Sequence, residues 1–224
     1  MRVAALYDIH GNLPALEAVL ADVDADAIVI GGDFAAGPWP AETIDRLRSL
    51  EGDVRFIRGN ADRELVQEEP GLAPPEMMDF VRERLSPEHV AFLRSLPLTE
   101  TIGRTLFCHA TPRNDEEIFT RDSPDERWAA ALAGVDADVV VCGHTHVQFD
   151  RRVGDVRLVN AGSVGMPYED RPGAYWALLG PDIELRRTNY DPGDVAATGW
   201  PEEWPSATPD EATELFERMS LERY

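Results

Sequence analysis

Two histidines separated by one residue, His144 and His146, follow an apolar run that is typical of a buried strand. Where such a strand opens into a loop, both imidazoles can turn towards one point and bind the same metal ion. The chain contains five histidines, and two of the others, His10 and His109, also follow apolar runs. These four residues predict a metal site, whereas His89 lies on a predicted helix and is assigned no chemistry.

Oxygen donors occupy similar positions in the first third of the chain. Asp8 follows the first apolar run, Asp33 the second and Asn60 the third. Taken singly, the two aspartates are more often helix caps and the asparagine is more often a turn residue. Taken together, these donors and the four histidines would leave uncompensated buried charges unless a cation were present. The set predicts two divalent metal ions, and the sequence leaves their identity open among Mn, Fe, Zn, Co and Ni.

Three successive units of strand, turn and helix carry the oxygen donors. Residues 2–7 form an apolar run, and Asn12 is the expected N-cap of the helix that follows it. The runs 26–33 and 53–62 also end in glycine and a polar side chain. Such units imply a parallel sheet with right-handed crossovers, and ligands bind at the carboxyl edge of such a sheet.

The remaining elements complete an α/β prediction. Helices are predicted over residues 13–21, 40–50, 74–85, 86–93, 123–133 and 209–219. Hairpins are predicted around turns at Gly103-Arg104, Gly154-Asp155 and Gly180-Pro181-Asp182. The last two of these hairpins give the second half of the chain the character of a meander, which indicates a second, mixed sheet packed against the first.

The length of 224 residues suits one domain with an extension. The domain is predicted over residues 1–189 and a tail, ending in a helix, over 190–224. Trp200 and Trp204 are too apolar for a solvated linker, so they are expected to anchor the tail on the domain or on a partner subunit of a homo-oligomer.

The net charge of −21 arises from 42 acidic residues against 21 basic ones, all of them arginine. An electrostatic field this negative opposes the binding of a long polyanion. Nucleic acids and anionic membranes are therefore disfavoured as partners. A small phosphate ester remains compatible, because bound metal cations reverse the field locally. The apolar runs are too short to span a membrane and the first strand leaves no room for a secretory leader, so a cytoplasmic protein is expected.

The order Asp-x-His, Gly-Asp, Gly-Asn, His and Gly-His-x-His, which extends from Asp8 to His146, resembles the calcineurin-like metallophosphoesterases. Residues 160–165 resemble a Gly-Ser loop of the bacterial phosphodiesterase branch, which is grouped with diadenosine tetraphosphatases. The resemblance implies an α/β fold (α+β in some classifications), in which two mixed sheets form a sandwich flanked by helices. It also implies one metal ion held by Asp8, His10, Asp33 and His146, and a second held by Asn60, His109, His144 and the bridging Asp33.

The resemblance further implies hydrolysis of small phosphodiesters or dinucleoside polyphosphates by a metal-activated hydroxide. Asp8, His10, Asp33, Asn60 and His109 are the expected catalytic residues. Asn60 is also expected to contact substrate phosphate, as is Arg113 in the loop after His109. A phosphomonoesterase is the alternative activity, and a partner-binding scaffold without catalysis is the alternative of another class. Retention of all seven ligand residues favours an enzyme.

One residue departs from the family pattern. Ala61 replaces the histidine that follows Gly-Asn in relatives, while Asp62 is retained. That histidine contacts the substrate phosphate or assists the leaving group in the family, and a methyl group can do neither. We therefore expect activated esters and pyrophosphate linkages to be hydrolysed better than alkyl diesters.

Overall fold

Two five-stranded sheets packed face to face form the centre of the computed structural model, which describes residues 1–67, 71, 74–201 and 206–223. The strands are β1 (Val3–Leu6), β2 (Ala27–Ile30), β3 (Asp53–Phe56), β4 (Thr99–Ile102), β5 (Thr105–Cys108), β6 (Val139–Cys142), β7 (Phe149–Val153), β8 (Val156–Asn160), β9 (Ala174–Leu179) and β10 (Ile183–Thr188). The α-helices are α1 (Leu13–Asp22), α2 (Pro40–Arg48), α3 (Asn60–Gln67), α4 (Pro75–Arg82), α5 (Pro87–Ser95), α6 (Asp125–Ala131) and α7 (Pro209–Arg223). A short 3₁₀ helix covers Ala196–Thr198.

Both sheets contain parallel and antiparallel pairs. The first sheet has the order β10-β9-β1-β2-β3, in which β1, β2 and β3 are parallel. The second has the order β4-β5-β6-β8-β7, in which β5, β6 and β8 are parallel. The carboxyl ends of β1, β2, β3, β5 and β6 lead into the turns that carry the predicted ligand residues.

Strand β1 shows why the first apolar run lacks polar alternation. Ala4 and Leu6 lie in the apolar cluster that also contains Leu16 of α1, whereas Val3 and Ala5 lie in the cluster between the two sheets. A strand covered on both faces needs apolar residues at every position. Helix α6 packs on the outer face of the second sheet. The layers are therefore helices, sheet, sheet and helix, which confirms the fold class implied by the sequence.

The third hairpin departs from the expectation that the second half forms the second sheet alone. Strands β9 and β10 join the first sheet, where Ala177 of β9 pairs with Ala5 of β1 in antiparallel register. This pairing covers an edge of β1 that would otherwise leave backbone groups without partners. The first two hairpins, β4–β5 and β7–β8, form within the second sheet as predicted.

Helix boundaries differ from the predicted ones by a few residues, with two larger differences. The sequence pattern did not predict the bounds of α3, although Leu65 and Val66 on the inner face of this helix belong to the core. Helix α7 continues to Arg223 instead of ending at 219, because neither glycine nor proline follows to stop it.

The tail after residue 189 contacts the domain at two places. The ring of Trp200 meets Phe80 of α4 edge to face, with 5.2 Å between centroids. Phe216 of α7 packs with Ile118 and Val147. Trp204 lies outside the described residues, and the division of the chain at 189 stays a prediction. Within the described ranges, no helix is both long and apolar enough to cross a membrane.

Candidate metal centre

The turns that follow the strands have an unusual backbone. The non-glycine residues with positive φ in the described part of the chain are Asp8, His10, Asp33, His144 and His146, with φ between 48° and 68°. Left-handed backbone at such residues costs of order 1–3 kcal/mol each and is kept only where the surroundings enforce it. All five are predicted ligand residues, so the strain is confined to the positions where side chains must turn into one site.

The first group of donors is Asp8, His10 and His146. The two histidine Nε2 atoms lie 3.1 Å apart. Each Nδ1 contacts a backbone carbonyl oxygen, that of Ala36 at 3.2 Å for His10 and that of Met166 at 2.7 Å for His146. A carbonyl only accepts, so each Nδ1 carries the proton and the two Nε2 lone pairs face each other. Two facing lone pairs fit a cation that both nitrogens bind.

The second group is Asp33, His109 and His144. His109 Nδ1 contacts the carbonyl oxygen of Gly31 at 2.9 Å, which again directs Nε2 into the site. That Nε2 lies 3.4 Å from Asp33 Oδ2 and 3.8 Å from Asp8 Oδ1. The two groups are therefore adjacent, and carboxylates of both approach His109.

Several buried polar atoms of the site lack hydrogen-bond partners. They are Asp8 Oδ1, Asn60 Oδ1, His109 Nε2 and His144 Nε2. Leaving such an atom buried and unpaired costs about 1–3 kcal/mol. Oxygen and imidazole donors of this kind suit divalent first-row metals, so the residues present fit two such ions.

The electrostatics of the site agree with metal binding. Burial and the neighbouring His146 lower the pKa of His10 to about 4, and burial with His109 lowers the pKa of His144 to about 4, so both imidazoles are in the neutral form that a metal ion requires. Burial lowers the pKa of His109, but Asp33 and Asp8 outweigh it and raise this pKa to about 10. Without a metal ion, one histidine thus takes a proton to offset two buried carboxylates.

Neighbouring side chains hold the ligand-bearing turns in place. Asp62 Oδ2 accepts hydrogen bonds from the backbone N–H groups of Asp33, at 2.8 Å, and Gly59, at 3.0 Å. Ser163 Oγ donates to the carbonyl oxygen of Asp8 at 2.6 Å. A Cβ on Gly59 would lie 2.0 Å from Asp33 Oδ1, so this glycine is needed for the close approach. The turns are therefore fixed by contacts outside the ligand set.

A cavity of about 280 Å³ opens over the two groups. Its floor includes His10, Asp33, Asn60, His144 and His146. Five further apolar residues that line it are called here the apolar wall, namely Met77, Trp200, Leu215, Phe216 and Met219. Helix α7 supplies three of these side chains, so the tail encloses the candidate site.

The structure brings the seven predicted ligand residues to one edge of the sandwich but does not bring Arg113 to the cavity. The Arg113 guanidinium donates to Glu117, with Nε 2.7 Å from Oε2, and to the carbonyl oxygen of Ala130. Arg113 is not among the described residues that line the cavity. Ala61 does line it, and its N–H donates to Asp33 Oδ1 at 2.8 Å.

Three contributors to the cavity were not found from the sequence. Tyr168 stacks on His146 with 5.3 Å between ring centroids. Glu64 accepts a hydrogen bond from Asn60 Nδ2 at 3.1 Å and so leaves the amide oxygen facing the site. The apolar wall is the third. A signal existed only for Glu64, which lies one helical turn after Asn60 in the sequence.

The family comparison matches most of the chain. The sequence model described as the calcineurin-like phosphoesterase superfamily domain matches residues 1–180. The phosphodiesterase YfcE of Escherichia coli K12 is 28% identical over an alignment that covers 80% of this chain and 87% of that protein. The symmetrical bis(5'-nucleosyl)-tetraphosphatase of Pectobacterium atrosepticum is 25% identical, with 80% of this chain and 73% of that protein covered.

Among solved structures, a metallophosphoesterase from Sphaerobacter thermophilus is similar along nearly its whole length. Its TM-score is 0.76 at 26% identity, and the alignment covers 95% of this chain and 98% of that chain. The likeness therefore extends beyond the 180 residues that the family model matches.

Proposed function

The chain belongs to the calcineurin-like phosphoesterase superfamily and is a metal-dependent phosphoesterase, and we propose that it hydrolyses small phosphodiesters or dinucleoside polyphosphates at a dinuclear metal centre. One ion would be held by Asp8, His10, Asp33 and His146, and the other by Asn60, His109, His144 and Asp33, which would be shared between the two.

The observation that carries this proposal is the close approach of the Nε2 atoms of His10 and His146, which lie 3.1 Å apart. Because each Nδ1 donates to a backbone carbonyl oxygen, two Nε2 lone pairs at this distance would repel each other. A cation bound by both nitrogens removes the repulsion and makes use of the fixed ring orientations.

Divalent ions at these positions would lower the pKa of bound water and stabilise charge on the phosphate oxygens. The protein supplies the geometry. Carbonyl contacts at Nδ1 keep Nε2 of His10, His109 and His146 directed into the site. Glu64 orients the amide of Asn60, and Ala61 provides no proton for the leaving group. The chain thus positions the phosphate but gives little acid assistance to its departing oxygen.

Two alternatives make different predictions. A phosphomonoesterase would prefer p-nitrophenyl phosphate to bis(p-nitrophenyl) phosphate, and a scaffold would hydrolyse neither. The burial of all the ligand residues favours an enzyme, because a scaffold has no need of two buried carboxylates clustered with four buried imidazoles.

The test combines metal analysis with turnover. The purified protein is treated with a chelator, and then bis(p-nitrophenyl) phosphate and p-nitrophenyl phosphate are assayed with Mn²⁺, Zn²⁺, Co²⁺, Ni²⁺ or Fe²⁺ added back. We expect two metal equivalents per chain, loss of turnover on chelation and a preference for the diester. Full turnover after complete metal removal would refute the proposal, as would absence of turnover with two equivalents bound.

A further inference from the structure

The two sides of the cavity differ in the chemistry that they offer a substrate. The floor carries the metal-ligand candidates, and the apolar wall (Met77, Trp200, Leu215, Phe216 and Met219) carries no hydrogen-bonding group except the Trp200 indole N–H. Ligand sites commonly combine an apolar lining with a few polar groups that fix the ligand. A phosphate held at the floor would therefore place its ester group against the wall.

The cavity also lacks the groups that would bind further phosphates. None of the described residues that line it is arginine, and the chain contains no lysine. No arginine occurs either among the residues that the structure does not describe, which are 68–70, 72–73, 202–205 and 224. Glu64, which lines the cavity, adds an acidic group. Each extra phosphate of a dinucleoside tetraphosphate would be desolvated there without a cation to pair with.

The size of the cavity leads to the same conclusion. Its volume of about 280 Å³ lies just below the roughly 300–1,000 Å³ usual for ligand pockets. One aryl or short alkyl group with its phosphate fills such a space. Two nucleosides joined by a tetraphosphate chain would extend beyond it, away from the apolar wall.

We infer that the substrate is a phosphodiester with one uncharged aryl or short alkyl group that packs against the apolar wall, and that α7 determines this specificity. The inference rests on the proposed function, because it assumes that the phosphate lies at the metal-ligand residues. It narrows that function by disfavouring dinucleoside polyphosphates.

The test uses two diesters with the same charge and the same leaving group, phenyl p-nitrophenyl phosphate and methyl p-nitrophenyl phosphate. A contact with the wall predicts a KM about tenfold lower for the phenyl ester, the range expected for added apolar contact in a pocket. Diadenosine tetraphosphate is the third substrate and should have a lower kcat/KM than either diester.

Helix α7 offers a matched pair of variants. Leu215 is 43% exposed and lines the cavity, whereas Leu221 on the same helix is 79% exposed and does not. Both truncations should leave the fold intact. We expect Leu215→Ala to reduce the phenyl preference by roughly threefold or more, since it removes part of the contact, and Leu221→Ala to leave it unchanged. Leu215→Arg should raise kcat/KM for diadenosine tetraphosphate while lowering that for the phenyl ester.

A binding measurement separates this inference from the proposed function. Calorimetric titration of the metal-loaded protein with phenylphosphonate and methylphosphonate needs no turnover. We expect phenylphosphonate to bind more tightly than methylphosphonate, and this difference to be lost in Leu215→Ala but kept in Leu221→Ala. That result supports contact between the phenyl group and the apolar wall even when no diester is hydrolysed. Equal binding of the two phosphonates, or a preference for diadenosine tetraphosphate in the unmodified protein, overturns the inference while leaving phosphoesterase activity in place.

Discussion

The floor and the wall of the cavity are built in different ways. On the floor, ligand side chains are fixed by contacts with nearby backbone, such as the 2.7 Å contact of His146 Nδ1 with the Met166 carbonyl oxygen, and five of them lie on strained turns. The wall consists of apolar side chains such as Phe216, which packs with Ile118 and Val147. The floor is therefore specified by hydrogen-bond geometry and the wall by packing alone. This difference predicts that the ligand residues of the floor tolerate no change of chemistry, whereas changes in the wall alter the substrate preference without loss of the reaction.

The largest expected effect is that of a conservative change on the floor. Asp33→Asn keeps the shape of the side chain but removes the charge of the proposed bridging ligand. We expect turnover of bis(p-nitrophenyl) phosphate to fall by roughly 10³-fold or more, about 4 kcal/mol in activation free energy, with loss of bound metal. Asp155→Asn in the exposed β7–β8 turn is the matched control and should change neither quantity. Normal metal content and turnover in Asp33→Asn would show that the ligand assignment is wrong.

Removal of the tail tests the wall as a whole. Truncation after Asn189 deletes Trp200 and Phe216, and loss of one large packed aromatic side chain costs roughly 3–5 kcal/mol. We expect the Tm to fall by roughly 10 °C, while metal binding by the seven ligand residues is retained at low temperature. Thermal melts, metal analysis and the mass in solution would be measured together. An unchanged melt and an unchanged mass would contradict the packing of the tail on the domain or on a second subunit.

Restoring the family residue at position 61 should speed catalysis at the floor without changing the substrate preference that the apolar wall determines. Ala61→His places an imidazole among the residues that line the cavity, where it can donate a proton to the leaving oxygen. We expect a gain of roughly 10²-fold on methyl esters with poor leaving groups and little change on p-nitrophenyl esters. The ratio of the two rates is the measurement, and Ala61→Gln serves as a control of similar bulk without a general acid. If the unmodified protein hydrolyses alkyl and activated diesters equally fast, another acid must take this role.

The smallest effect is expected for Arg113, which the sequence suggested as a phosphate contact. Its guanidinium is bound to Glu117, so Arg113→Ala should change KM by less than about twofold, as for residues outside a site. Arg113→Gln provides a second variant that keeps some hydrogen bonding. A large rise in KM with unchanged kcat in both variants would mean that the loop after His109 rearranges to meet the substrate.

The sequence predicted the fold class and indicated the floor because both depend on local pattern. Asp8 and His109 each follow an apolar run, and the ends of parallel strands meet at one edge of a sheet. The wall could not be predicted in this way. Met77 and Phe216 lie far apart in the chain, and apolar residues at helical spacing indicate core packing without telling which helices meet.

The position of the third hairpin was missed for a related reason. Its turn at Gly180-Pro181 identifies two antiparallel strands, but nothing in either strand tells which sheet they join. That choice depends on the open edge of β1, a feature of the folded domain. Tyr168 was missed as well, because its position beside His146 depends on the path of the loop between β8 and β9.

Neither donor group is complete within one sheet, and this affects the order of events during synthesis. Asp8 and His10 follow a strand of the first sheet but need His146 from the second, and Asp33 likewise needs His109 and His144. A nascent chain that has folded only its first strand and helix units therefore offers no finished metal site. Metal ions bound as proposed would be captured only after residue 146 has left the ribosome and the two sheets have met, so metal uptake would report the docking of the two sheets.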